Sequence, residues 1–224
     1  MKRRLEMLLI GTAICVVATV AKGDTVFSNL GSATPISATH GRFPTPEEFI
    51  AMPFVVPAGP GYDLTQVDIG LTHTSALPGA NGATVQLVLD DGSGLPGSFI
   101  QGWTLANLPE TGTTSLQASQ MIGGISGTTL TGGAQYWLIA IGSSTSMTWN
   151  FADPEIVGPF AVSIDGGTSW SLVSGLGESA FDVLGTPLST SVPEPMTAAL
   201  VGLGLGALAA ARRRPARALR ELRP

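Results

Sequence analysis

From Asp24 to Gly185 short apolar runs are separated by Gly, Pro, Asn and Asp, and this punctuation confines the chain to short extended elements. The clearest run is Leu64-Thr-Gln-Val-Asp-Ile-Gly-Leu-Thr72, in which Thr65, Val67, Ile69 and Leu71 fall on one face. Val85, Leu87 and Leu89 repeat the pattern. A period of two with one apolar face places one side of a strand on a core. Further strands are expected at Val26-Leu30, Pro53-Val56, Ala83-Asp90, Ser98-Thr104, Thr114-Gln120, Gln135-Ile141, Ser146-Phe151, Phe160-Ile164, Ser169-Val173 and Ala180-Val183. No stretch of this region offers an amphipathic helix of ten or more residues, the nearest being Pro44 to Ala51. The expected fold is all-β, an antiparallel β-sandwich or jelly roll over residues 24–187. Roughly 160 residues bury a sufficient core without disulfides.

Charge narrows the function. The formal net charge is -5, but ten of the eleven basic residues sit at the ends: Lys2, Arg3, Arg4 and Lys22, then Arg212, Arg213, Arg214, Arg217, Arg220 and Arg223. Between Asp24 and Val192 a single cation, Arg42, faces thirteen carboxylates, a local net of -12. Nucleic-acid binding requires several cations to displace counterions, so this partner class is excluded for the middle of the chain. The one cysteine, Cys15, excludes a disulfide framework or a Cys-rich zinc site.

The ends read as addresses. Residues 1–23 have the form of a signal peptide: Lys2-Arg3-Arg4, an apolar stretch from Leu8 to Val20, and small residues at Ala21 and Gly23 for a signal peptidase. Cleavage is expected after Gly23, with Ala21 as the second choice, and an uncleaved anchor is the competing reading. At the other end, a linker at 188–195 contains Pro193-Glu194-Pro195 and leads into the uncharged run 196–211. As a helix that run is about 24 Å long, and flanking arginines let such a segment span a somewhat thinned bilayer. Gly202, Gly204 and Gly206 disfavour a helix in water here. The tail 212–224, beginning Arg212-Arg213-Arg214, should stay cytoplasmic by the positive-inside rule. A transmembrane helix with the β domain outside is therefore expected.

Pro193-Glu194-Pro195, the short apolar segment and Arg212-Arg213-Arg214, in that order, resemble the PEP-CTERM sorting signal of Gram-negative bacteria. The resemblance implies cleavage by an exosortase near Pro-Glu-Pro and an association with extracellular polysaccharide and biofilm. The tail after Arg214 is ten residues longer than is usual in that signal. Asp90-Asp91-Gly-Ser-Gly-Leu-Pro-Gly-Ser98, Leu130-Thr-Gly-Gly-Ala-Gln-Tyr-Trp-Leu138 and Phe181-Asp-Val-Leu-Gly-Thr-Pro187 are similar to the choice-of-anchor domains, the R-type above all. That resemblance implies a surface β-sandwich and brings no activity with it.

Signals for catalysis are few. His40 and His73 lack neighbouring His or Cys ligands, and no Gly-x-Ser-x-Gly elbow is present. The adjacent carboxylates Glu47-Glu48 and Asp90-Asp91 read as solvated or turn-forming rather than as a hydrolytic pair. Asp90 and Asp91 could contribute oxygens to calcium, but Asp-Gly is first a hairpin signal, and Asp165-Gly166-Gly167 reads the same way. No cofactor is implied. Trp103, Tyr136, Trp137, Trp149 and Trp170 are core or sugar-stacking candidates. Trp170, beside a turn, is the best exposed ring, and Trp137 the second candidate for carbohydrate. The expectation is a non-enzymatic protein exported across the inner membrane to the cell envelope, surface or medium, with a structural or adhesive role. The alternative is a carbohydrate-binding module for exopolysaccharide.

Overall fold

The computed structural model describes residues 23–30, 36–74, 81–111, 116–117, 119–189, 203 and 205. Among the described residues fifteen strands follow in chain order: β1 (Asp24–Ser28), β2 (Ile36–Arg42), β3 (Phe49–Val55), β4 (Tyr62–Ile69), β5 (Leu71–His73), β6 (Ala83–Asp90), β7 (Pro96–Leu105), β8 (Leu116–Gln117), β9 (Gln120–Gly123), β10 (Thr129–Leu130), β11 (Gln135–Gly142), β12 (Met147–Ala152), β13 (Val157–Ser163), β14 (Ser171–Gly177) and β15 (Phe181–Pro187). Each expected run overlaps at least one of them. The domain is all-β.

The strands form three antiparallel sheets. One runs β14-β13-β3-β11-β6-β7, a second β1-β15-β4-β10 with β9 also on β4, and a third β5-β12-β2-β8. Neighbouring strands come from distant parts of the chain: β11 lies between β3 and β6, with Leu138 opposite both Met52 and Leu87. The arrangement is consistent with a β-sandwich.

All three sheets contribute to one large core. Met52, Phe54, Val85, Leu87, Tyr136, Leu138 and Phe160 come from the six-stranded sheet, Val26, Leu64, Val67, Ile69, Phe181 and Val183 from the second, and Leu71, Met147 and Trp149 from the third. Phe27 stacks on Phe181 at 4.8 Å between centroids, and Phe54 on Tyr136 at 5.7 Å. Large rings dominate such interiors because each removes the most apolar surface from water. The polar atoms of two core rings are paired: Trp149 Nε1 donates to Ala180 O at 3.0 Å, and Thr131 N donates to the Tyr136 hydroxyl at 2.8 Å.

The six-stranded sheet is apolar on its opposite face as well. Ala51, Val88, Trp137, Ile139 and Ala161 form a second buried cluster there, against which Phe49, Leu95, Ile141 and Trp170 pack. Two loops supply the cover, with Leu95 from the β6–β7 connection and Trp170 from the β13–β14 connection. Alternation along β11 could not tell which face was core because both are buried.

The chain divides into two units, residues 1–187 and 188–224. The signal-peptide segment 1–22, the sorting residues Pro193, Glu194, Pro195, Arg212, Arg213 and Arg214, and the span 196–211 except Leu203 and Leu205 lie outside the described residues. Among the described residues no helix is long and apolar enough to cross a membrane.

Candidate functional site

The two aspartates considered for calcium anchor the β6–β7 loop. Asp90 Oδ2 accepts from Trp137 Nε1 at 3.0 Å and from Gln135 Nε2 at 2.9 Å, and Asp90 Oδ1 accepts from Gly92 N at 2.8 Å. Asp91 Oδ1 takes the amides of Ser93 at 2.7 Å and Leu95 at 3.1 Å, and the Ser93 hydroxyl reaches both its oxygens. Those bonds, the Ser93 amide foremost, hold the Asp91 pKa below the ordinary aspartate value. Carboxylate oxygens aimed at N–H and O–H donors of the loop and of the neighbouring β11 serve the turn and its seat on the sheet. Among the described residues no three His, Cys, Asp or Glu side chains converge to hold a metal ion.

The β13–β14 loop is built on the same plan. Asp165 accepts from Ser169 Oγ at 2.6 Å, Ser169 N at 2.9 Å and Ser163 Oγ at 2.7 Å. Its carboxyl is lowered to about 2, chiefly by the Ser169 hydroxyl. This loop presents Trp170 to the second cluster, so the ring is half-buried rather than an open platform. Trp137 is 1% exposed with its indole nitrogen bonded inside the protein, which removes it as a sugar-stacking surface. Residues far apart in sequence cover it from above the sheet, and that could not be read from alternation on β11.

The structure brings together a different set of residues. Gly41, Arg42, Phe43, Glu48, Ile50, Phe160 and Val162 line an open groove of about 380 Å³. Its base is fixed by close packing: a Cβ at Gly41 would lie 2.5 Å from Thr148 Cγ2 and 2.7 Å from Trp149 O, so β2 can seat on β12 only with glycine there. The next residue, Arg42, lays its guanidinium 3.2 Å above the Phe160 ring centroid and 5.3 Å from that of Phe151. Arg42 Nη2 donates to Gly177 O at 2.6 Å, while Nε is enclosed without an acceptor. Burial draws the guanidinium down to about 10, opposed by the charge of Glu155, so Arg42 stays cationic at neutral pH.

The opposite rim is set by a tight turn. Thr45 Oγ1 accepts the amides of Glu47 at 3.2 Å and Glu48 at 2.8 Å, and Thr45 N donates to Glu48 O at 2.8 Å. Glu47-Glu48 is thus the end of a turn leading into β3, and Glu48 reaches the groove. Phe43 is 55% exposed at its mouth. Sequence inspection singles out Arg42 as the lone central cation. It cannot place Phe43 and Glu48 beside it, since that depends on β2, β3 and β13 converging.

A separate feature marks the β13–β14 hairpin. Ile156, Val157, Ile164, Leu172 and Leu176 are 42–78% exposed, an unusual concentration of large aliphatic side chains. No family model matches this chain, and no curated protein matches it.

Proposed function

We propose that the chain is an exported, non-catalytic surface protein whose β domain has a structural or adhesive role in the extracellular matrix. The observation that carries the sorting part is the ordered run of Pro193-Glu194-Pro195, apolar segment 196–211 and Arg212-Arg213-Arg214. In this reading residues 1–23 are removed by signal peptidase and 196–211 spans the inner membrane as a helix. An exosortase of the PEP-CTERM type then releases the domain to the envelope, surface or medium. The β domain is then a jelly-roll or choice-of-anchor sandwich, with a signal-peptide helix before it and a transmembrane helix after it. The adhesive part is supported by the exposed aliphatic side chains of the β13–β14 hairpin, since large apolar groups left at a surface can serve as contacts to a partner.

The test is the intact mass of the protein from its own host, measured in membrane and culture-fluid fractions. A released form beginning near Asp24 and ending near Pro193 is expected. A membrane-bound form that keeps Arg212 to Pro224 would overturn the processing claim. A second reading, non-catalytic binding of exopolysaccharide, is favoured by one observation, the mixed polar and aromatic groove at Arg42.

A further inference from the structure

We propose that the groove beside Arg42 binds an uncharged, hydroxyl-rich sugar ring. The inference rests on the carbohydrate reading and moves its site away from Trp137 and Trp170. A sugar ring offers two things for recognition: hydroxyls, each both donor and acceptor, and apolar C–H faces. A site that fits it needs a fixed donor, a fixed acceptor and a flat ring within one ring's width. Arg42 supplies donors only, and the carboxyl oxygens of Glu48 supply acceptors. Phe43, more than half exposed at the mouth, supplies the flat face. The groove volume of about 380 Å³ lies at the small end of the range for small-molecule sites, which suits one or two sugar units.

Part of the groove is preformed. Arg42 is held by the Phe160 ring and Gly177 O, and the Glu48 backbone is fixed by the Thr45 turn, which lowers the ordering cost of binding. Charge selects among sugars. With thirteen carboxylates against one arginine between Asp24 and Val192, the long-range field repels uronate or sulfated polymers. Glu48 adds a local negative charge at the rim. Neutral glycans meet neither barrier.

The experiment uses the full chain in a zwitterionic detergent, because a maltoside headgroup would itself compete. Dextran, galactomannan and mixed-linkage β-glucan are compared with alginate by affinity electrophoresis, and Kd is then measured by calorimetry on the best ligand. Saturable binding to at least one neutral glycan and none to alginate is expected. Phe43→Ala and Glu48→Gln, both at exposed or half-exposed positions, should each weaken it about tenfold or more without altering thermal unfolding. Trp170→Ala should leave it unchanged. Binding that survives the first two substitutions, or is lost only with Trp170→Ala, overturns the groove while leaving the carbohydrate reading standing. Tighter binding to alginate overturns the charge argument, and absence of binding to every glycan overturns the reading and the site together.

Discussion

At Asp90 one carboxylate does the work of a loop closure and of an indole partner. Its Oδ2 meets Trp137 Nε1 on the covered face of the sheet, and its Oδ1 meets Gly92 N in the turn. Asp90→Ala would leave a buried indole N–H without an acceptor, at a cost of about 1–3 kcal/mol. Asp90→Asn keeps an acceptor oxygen and should cost less. Guanidinium unfolding of the two variants checks this. Equal stability of Asp90→Ala and the parent would mean that the indole bond contributes nothing. A rise in the parent's unfolding temperature with calcium, beyond that given by salt of equal ionic strength, would instead return these aspartates to the metal reading. The sequence announces the turn through Asp-Asp-Gly-Ser-Gly. It is silent about Trp137, forty-seven positions from Asp90, because the bond depends on β11 pairing with β6.

Among the elements, strands with their own alternation were legible and strands made by their partners were not. β6 is expected at Ala83-Asp90 and forms over that range. β2, Ile-Ser-Ala-Thr-His-Gly-Arg, carries no apolar stripe and owes its extended form to β12, with Asn150 opposite Gly41 and Trp149 opposite Arg42. The first half of β3 was hidden for another reason. Ile50, Ala51 and Met52 are buried in succession because both faces of that strand are covered, so no period of two exists to read. The covering loops give a pH prediction. Asp165 has its pKa lowered to about 2 in the fold by the Ser169 and Ser163 bonds, against about 3.9 for a free aspartate. A carboxyl lowered on folding stabilises the fold fully above its unfolded value, and that contribution is lost as pH falls through the folded one. The β13–β14 loop should therefore stay closed at pH 4 and loosen towards pH 2. Carboxyl carbon shifts of Asp165, followed by NMR, should titrate near 2, and a midpoint near the free value would show that the loop bonds are absent in solution.

The molecule as a whole carries its charge in blocks, and the middle block has little to hold its carboxylates in check. Arg42 is the single cation there, and it is committed to the Phe160 ring and Gly177 O. Thirteen carboxylates spread over the remaining surface repel one another, which disfavours the compact state. Salt weakens this repulsion as the Debye length shortens from about 30 Å at 0.01 M to about 8 Å at 0.15 M. The full chain should consequently unfold at a higher temperature in the second condition, by about 2–4 °C for each kcal/mol of repulsion relieved. Sodium and potassium chloride should act alike, since screening depends on ionic strength and not on the identity of a monovalent cation. A fall in unfolding temperature on adding salt would mean that attractive charge pairs outweigh the repulsion. The same screening gives an independent handle on ligand choice: if the acidic field is what excludes charged polymers, alginate should approach the domain more readily as salt rises, while binding of a neutral glycan at Phe43 and Glu48 stays level.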